Sequence, residues 1–299
     1  MFGPSCFLEN EPHNARTSFY IFHKMTRRWL QRKWGAAMGI IRTDEWLEED
    51  FDNPLKICER LIPYFKGQSQ REIYRELMNF GMYQPSQSSR NYHLKLSKQK
   101  TWDKVGKILA KYKSSWHGPD IPIFLFPVAQ AGGFFRREEK GKAGVTFPDK
   151  MFLFLSNYDD PAEVEALFVH EYHHACRMRL LGKSIEDYTL LDSLIIEGLA
   201  EYTVLKKCGR EYLAAWCTMY TEKELKKFWD RYLKSQLGIK KNERRHDELL
   251  YGGGRVPKLL GYAAGFYLIE KYYKKNHYST KLSFTTPAET YLKGIDLFS

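Results

Sequence analysis

The feature that most constrains this 299-residue chain is one long segment with clear helix start and stop signals. Asp160-Pro161 supplies a helix cap and a proline suited to the first helical turn, and Gly182 supplies a stop signal. The pattern therefore predicts a helix from Pro161 to about Leu181. The motif His170-Glu171-x-x-His174 lies inside this helix, where its spacing has a geometric meaning.

The motif places two histidines on one face of the predicted helix, because residues four apart lie about one turn apart. His170 and His174 can therefore present two imidazole nitrogens to one metal ion. Glu171 projects about 100° round the helix from His170, where it can take a proton from metal-bound water as the general base. His173 points to the other side, which favours a packing or substrate-facing role.

The second part of the site is expected on another helix, from about Tyr188 to Lys207. A catalytic zinc usually has three protein ligands and keeps one position for water. Glu197 and Glu201 share one side of this helix with apolar residues, and two unpaired carboxylates there would be costly to bury. We predict Glu197 as the third ligand and Glu201 as the acceptor of a ligand histidine's free N–H. Gly198 is expected to let the two helices approach closely.

These elements resemble a known clan of zinc peptidases. The pairing of H-E-x-x-H at His170–His174 with Glu197 and Glu201 resembles the gluzincins, the thermolysin-like clan. More closely, His170–His174 and Leu191–Glu201 look like the YjaZ-like family of predicted Zn-dependent proteases. The resemblance covers roughly residues 119–299. It implies a peptidase with one Zn²⁺ ion.

The resemblance also implies two further parts of the site. Gluzincins stabilise the oxyanion with a Tyr or His downstream of the third ligand, and Tyr262, within Gly261–Gly265, is the favoured candidate. The other candidates are His246, Tyr251 and His277, and Tyr262 could instead be an ordinary core tyrosine. In similar peptidases an edge strand pairs with extended substrate, and Gly144–Phe147 or the strand ending at Leu155 could do so. Ordinary sheet core is an equal alternative for these strands.

The remaining pattern predicts an α+β fold. Three short apolar runs predict a small mixed sheet, at Ile121–Phe126, Ala143–Phe147 and Met151–Leu155. Helical spacing predicts helices that begin at Pro54 after an Asn53 cap, and at Gln70–Phe80, Trp102–Tyr112, Glu222–Gln236 and Lys258–Tyr273, with a short one at Pro287. Residues 1–50 form an extension of unclear structure, 51–118 a helical region, and 119–299 a mainly helical, gluzincin-like catalytic region.

Charge and cysteine content narrow the expected partners and compartment. The 47 basic and 36 acidic residues give a net charge of +11, and the basic residues are spread along the chain. Without zinc-finger spacing or an RNA-binding aromatic signature, a solvated basic surface is the main interpretation and nucleic-acid binding the alternative. Five cysteines without a C-x-x-C pair, no secretory signal and no membrane-length apolar run predict a cytoplasmic protein.

The sequence therefore predicts a zinc-dependent metallohydrolase that cleaves a peptide or protein by Glu171-assisted attack of zinc-bound water. Peptide cleavage rests on the resemblance. One alternative is a zinc hydrolase that acts on another bond, and a second is a catalytically silent zinc-containing binding or regulatory protein. Glu171 argues against the silent protein, because a structural site would not need that acid. Another divalent metal also remains open, since selectivity depends on geometry and supply.

Overall fold

The computed structural model describes residues 38–129 and 141–293. Within these ranges the chain forms eleven α-helices and one four-stranded sheet, so the predicted α+β class is confirmed. Most of the extension predicted for residues 1–50 lies outside the described residues. Inside the described ranges, each helix is too short or too polar to cross a lipid bilayer.

The elements follow one another along the chain as strands and helices of modest length. The strands are β1 (Gly39–Ile40), β2 (Pro122–Pro127), β3 (Lys142–Phe147) and β4 (Lys150–Leu155). The helices before the sheet hairpin are α1 (Thr43–Asp50), α2 (Pro54–Glu59), α3 (Gln70–Phe80), α4 (Gln87–Lys98) and α5 (Thr101–Trp116). The later helices are α6 (Pro161–Leu181), α7 (Leu190–Lys207), α8 (Glu222–Phe228), α9 (Arg244–Tyr251), α10 (Leu260–Lys275) and α11 (Thr280–Thr285).

The sheet is small and mixed, as the sequence predicts. Its strand order is β1-β2-β4-β3, with β1, β2 and β4 parallel and β3 antiparallel to β4. Every residue of β2 and β4 is buried, which explains their unbroken apolar runs. β3 lies at the edge and is only partly buried. The antiparallel strand β3 therefore forms a partly exposed edge of the sheet, next to the helices that follow it.

The two helices that carry the motif residues begin and end at local signals. The Asp160 side chain accepts a hydrogen bond from the Ala162 backbone N–H at the start of α6, and Gly182 ends the helix with a φ of 64°. Both bounds of α6 agree with the prediction. α7 begins two residues later than predicted, because Thr189 and Asp192 form a capping box there.

The other helices agree with the prediction to different degrees. The Asn53 cap and Pro54 start of α2 are confirmed, and α3 has the predicted bounds. The single helix predicted for Glu222–Gln236 is wrong in part, because α8 ends at Phe228 and a π-helical turn follows at Trp229–Leu233. The sequence did not predict α1, α4, α9 and α11.

The buried residues form two hydrophobic cores. The sheet core contains buried residues between 41 and 176 together with Val204 and Phe284, and it packs around β2, β4 and α6. The helical core contains buried residues between 190 and 291 and packs around α7 and α10. Because α6 packs against α7, the interface of these two helices lies between the two cores.

Helices α7 and α10 approach each other backbone to backbone. A Cβ atom added to Gly198 would overlap the carbonyl oxygen of Gly265, and one added to Gly265 would overlap the carbonyl oxygen of Leu194. The prediction that Gly198 brings the two motif-bearing helices together is wrong. Gly198 instead faces α10, because a close contact of this kind needs glycine on both helices.

Candidate metal centre

Three side chains from α6 and α7 converge at the interface of the two cores. The Nε2 atoms of His170 and His174 lie 3.1 Å apart. The Glu197 Oε2 atom lies 3.3 Å from the His170 Nε2 atom and 3.5 Å from the His174 Nε2 atom. The structure thus brings the three ligands predicted from the sequence into one nearly equilateral triangle.

The size of this triangle fits a zinc ion. Zinc lies about 2.0–2.1 Å from nitrogen and oxygen ligands in a tetrahedral site, which places the ligand atoms about 3.3 Å from one another. The three side chains are between 11% and 16% exposed, so the centre is largely buried but retains some access to solvent. Within residues 38–129 and 141–293, no other trio of His, Cys, Asp or Glu side chains converges in this way. Two imidazoles and one carboxylate suit zinc or a similar divalent metal.

Glu201 orients one of the two histidines. Its Oε2 atom lies 2.8 Å from the His170 Nδ1 atom, and its Oε1 atom accepts a hydrogen bond of 2.6 Å from the Ala214 backbone N–H. The carboxylate is therefore fixed on both sides and directs the His170 Nε2 atom towards the triangle. By contrast, the His174 Nδ1 atom is buried without a hydrogen-bond partner among the described residues.

The ionisable groups of the cluster stabilise one another's charged forms. Burial disfavours the charged form of His170, but hydrogen bonds to Glu197 and Glu201 outweigh it and raise the pKa of the imidazole well above its ordinary value. Burial also opposes the charged form of Glu197, yet the neighbouring histidines lower the pKa of its carboxyl group. The two carboxylates therefore favour positive charge at His170, and they would favour a bound cation for the same reason.

Glu171 directly follows the ligand His170 on α6, and its side chain is held by β3. The Thr146 hydroxyl lies 2.6 Å from the Glu171 Oε2 atom and 3.0 Å from the Glu171 carbonyl oxygen. Gly144 packs against the same side chain. The sequence suggested substrate pairing or ordinary sheet core for this strand and did not indicate its contacts with Glu171. A glycine inside an otherwise ordinary strand was the one available signal.

The candidates for oxyanion stabilisation lie in different surroundings. Tyr262 is buried on α10, with its ring centre 5.2 Å from that of Trp216 and 5.8 Å from that of Tyr251. Burial raises the pKa of Tyr251, and the negative charge of Glu197 raises it further, while a hydrogen bond to Tyr262 opposes the rise. A hydrogen bond therefore joins Tyr251 and Tyr262, and the charge of Glu197, a member of the ligand triangle, acts on Tyr251.

Of the other histidines considered for the site, two are buried beside serine hydroxyl groups and one is exposed. His246 is fully buried, and its Nε2 atom lies 2.9 Å from the Ser193 hydroxyl oxygen. His277 is exposed. His173 is fully buried on α6, and its Nε2 atom lies 2.9 Å from the hydroxyl oxygen of Ser283. Of the two roles predicted for His173, this contact favours packing.

The chain resembles one protein family and two proteins of Bacillus subtilis. A family model described as "Predicted Zn-dependent protease (DUF2268)" matches residues 101–293. The uncharacterized protein YjaZ of Bacillus subtilis (strain 168) is 37% identical over 263 residues, which cover 86% of this chain and 100% of that protein. The uncharacterized protein YjfC of the same organism is 26% identical over 153 residues, which cover 48% of this chain and 50% of that protein. No solved structure matches the chain significantly. The family match includes both helices of the metal centre.

Proposed function

The chain belongs to the family of predicted Zn-dependent proteases, and we propose that it is a zinc-dependent metallopeptidase with one zinc ion. His170, His174 and Glu197 would hold the ion. The observation that carries this proposal is the triangle of ligand atoms, with sides between 3.1 and 3.5 Å. Glu171, the residue after His170 on α6, supplies a further carboxylate that is not part of the triangle.

The reaction that fits this arrangement is the hydrolysis of an amide bond. When bound, zinc polarises the scissile carbonyl and lowers the pKa of water. The Glu171 carboxylate accepts the proton of the attacking water and returns it to the leaving amine. Glu201 keeps the His170 ring in orientation throughout. A tyrosine of the Tyr251–Tyr262 pair would donate a hydrogen bond to the oxyanion.

The position of β3 supports a peptide or protein as the substrate. β3 is an edge strand beside Glu171, and among the described residues no strand pairs with its outer side. Such an edge can pair with an extended peptide through main-chain hydrogen bonds. This support is independent of the zinc ligands and favours a peptidase over a hydrolase of small esters.

The direct test combines metal analysis with a peptide-library digest. The wild-type protein is expected to contain one zinc per chain and to cleave peptides, and a chelator should abolish cleavage. Glu171→Gln should keep its zinc and lose about 10²–10⁴-fold in kcat, since it loses the general base. Glu186→Gln, at an exposed position, is the matched control and should match wild type. Full activity of Glu171→Gln would refute the mechanism.

A second test separates the two tyrosines. One of the two tyrosines is expected to be the oxyanion donor. Replacing that tyrosine, by Tyr262→Phe or by Tyr251→Phe, should lower kcat about 10²–10³-fold and leave the zinc content unchanged. The other variant should lose less, because it removes only the hydrogen bond within the pair. Unchanged turnover of Tyr262→Phe with full zinc content would contradict the role predicted for Tyr262. A panel of ester and amide substrates, run on the same proteins, tests hydrolysis of other bonds.

A further inference from the structure

We propose that Gly144 and Thr146 of β3 are positioning residues, which form a cradle that holds the Glu171 carboxylate in one orientation. This inference rests on the proposed role of Glu171 as the general base. It adds two residues outside the H-E-x-x-H helix to the requirements for activity. It also gives the edge strand a task besides pairing with substrate.

Thr146 anchors one of the two carboxylate oxygens. Its hydroxyl has a single proton, and the shorter distance, 2.6 Å against 3.0 Å, directs that proton to the Glu171 Oε2 atom. Glu171 is only 6% exposed, so this bond replaces hydration that the buried carboxylate has lost. A hydrogen bond to a charged acceptor in such surroundings fixes the torsions of the side chain.

Gly144 provides the space that the carboxylate occupies. A Cβ atom at this position would lie 2.5 Å from both Cγ and Oε1 of Glu171. The backbone does not require glycine there, because Gly144 is not among the residues with positive φ. Glycine inside a strand reduces stability, since it adds conformational freedom to the unfolded chain and packs no side chain. Its place in β3 is therefore explained by the Glu171 side chain.

The two positions act on different oxygens of the same group. Gly144 and Thr146 are two apart in a strand, so they face the same side, towards α6. Thr146 holds Oε2, and Oε1 lies over Gly144. In the described part of the chain, nothing donates a hydrogen bond to Oε1. Oε1 is thus the oxygen that remains to accept a proton from the attacking water.

The sharpest test is Gly144→Ala. The three nearest atoms that the new methyl group would meet belong to the Glu171 side chain, so the carboxylate should move while the backbone stays in place. We expect a melting temperature close to that of wild type, because loss of the bond to Thr146 offsets the gain from replacing glycine, with full zinc content, little change in KM, and a kcat about 10²-fold lower. Gly238→Ala is the matched control, because a Cβ there has no neighbour within 4 Å, and its kcat should not change. Wild-type kcat in Gly144→Ala would overturn the proposal.

A second set of variants tests the hydroxyl group. Thr146→Val keeps the shape and removes the hydroxyl, and we expect a fall in kcat of about 10²-fold with little change in KM and zinc content. Thr146→Ser keeps the hydroxyl and should recover most of the loss. Thr101→Val is the control, since it removes a buried threonine hydroxyl that bonds to the Leu96 carbonyl oxygen, on α5 and not on an element that holds Glu171 or a metal ligand. A Thr146→Ser variant as poor as Thr146→Val would overturn the role of the hydroxyl.

A measurement on metal-free protein separates this inference from the proposed function. If Thr146 bonds to Glu171, Thr146→Val should lower the melting temperature of the wild type more than that of a Glu171→Ala background. Additive changes would overturn the contact. If the wild-type protein cleaves no peptide, the proposed function fails, whereas these melting temperatures still decide whether the cradle exists.

Discussion

Two regions of the molecule depend on glycine for a close contact, and they differ in what fills the space beside it. Between α7 and α10, Gly198 and Gly265 lie against backbone carbonyl groups of the facing helix. Between β3 and α6, Gly144 lies against the side chain of Glu171. The first contact belongs to the helical core, and the second lies where the edge of the sheet meets the metal centre.

An added methyl group should have a different effect in each of these two regions. A backbone carbonyl inside a helix cannot move unless the whole helix moves, so extra volume there strains the fold. The Glu171 side chain can rotate away without moving its helix, at the cost of its hydrogen bond to Thr146. A change in the helical core should therefore affect stability first, and a change in β3 should affect turnover first. Gly265→Ala and Gly106→Ala test this difference between the two glycine contacts. Two changes at the metal centre, with effects of intermediate size, test the region beside β3.

The largest effect is expected for Gly265→Ala. The added methyl group would overlap the Leu194 carbonyl oxygen, so α10 must move away from α7. We expect the free energy of unfolding to fall by about 3 kcal/mol. The zinc content should also fall, because α7 carries Glu197. Denaturant unfolding and metal analysis measure both quantities. Wild-type stability in this variant would erase the contrast with Gly144→Ala.

The next effect is expected on removal of zinc. The ion would join α6, which packs in the sheet core, to α7, which packs in the helical core. At free zinc one hundred times its Kd, the ion should stabilise the protein by about 2.7 kcal/mol. A chelator should lower the melting temperature accordingly. In Glu197→Gln the same chelator should have a much smaller effect, and an equal shift in both proteins would contradict the assignment of Glu197.

A smaller effect is expected for Glu201→Gln. The variant keeps the shape of the side chain but loses the charge that faces the His170 Nδ1 atom at 2.8 Å. Loss of such an outer partner lowers zinc affinity about 10–100-fold, equivalent to about 1.4–2.7 kcal/mol. Competition with a chromogenic chelator measures it. Unchanged affinity would show that the Glu201 charge does not support the centre.

The smallest effect is expected for Gly106→Ala in α5. A Cβ atom there has its nearest neighbour, Ile40, at 3.8 Å, which is ordinary contact. Alanine should therefore stabilise this helix by about 0.5–1 kcal/mol. The variant sharpens the comparison, because it shows the effect of a methyl group on a helix glycine with room around it. A destabilised Gly106→Ala would mean that Gly265→Ala does not report on the close contact alone.

The parts of the site that could be predicted from the sequence are those with local signals. Asp160-Pro161 and Gly182 set the ends of α6, and the helical repeat places His170 and His174 on one face. The same repeat places Glu197 and Glu201 on one side of α7. These inferences need only the geometry of a single helix, and for that reason the sequence sufficed.

The parts that could not be predicted depend on contacts between distant segments. Thr146 meets Glu171 and Ala214 meets Glu201 only because β3 and the segment after α7 fold back onto the motif helices. No spacing within the sequence encodes such pairs. Helix α4 was missed for another reason: its buried residues are Ser89, His93 and Leu96, which form no apolar repeat. Its capping box at Ser86 was the only local signal.

The order of the elements along the chain has a consequence for how the centre is assembled. His170 and His174 lie on α6, but Glu197 lies on α7, which packs closely against α10 much later in the sequence. During synthesis from the N-terminus, the ribosome releases the two histidines before the helix that supports Glu197. The nascent chain therefore completes the triangle of ligand atoms only after α10 has been made and has packed against α7.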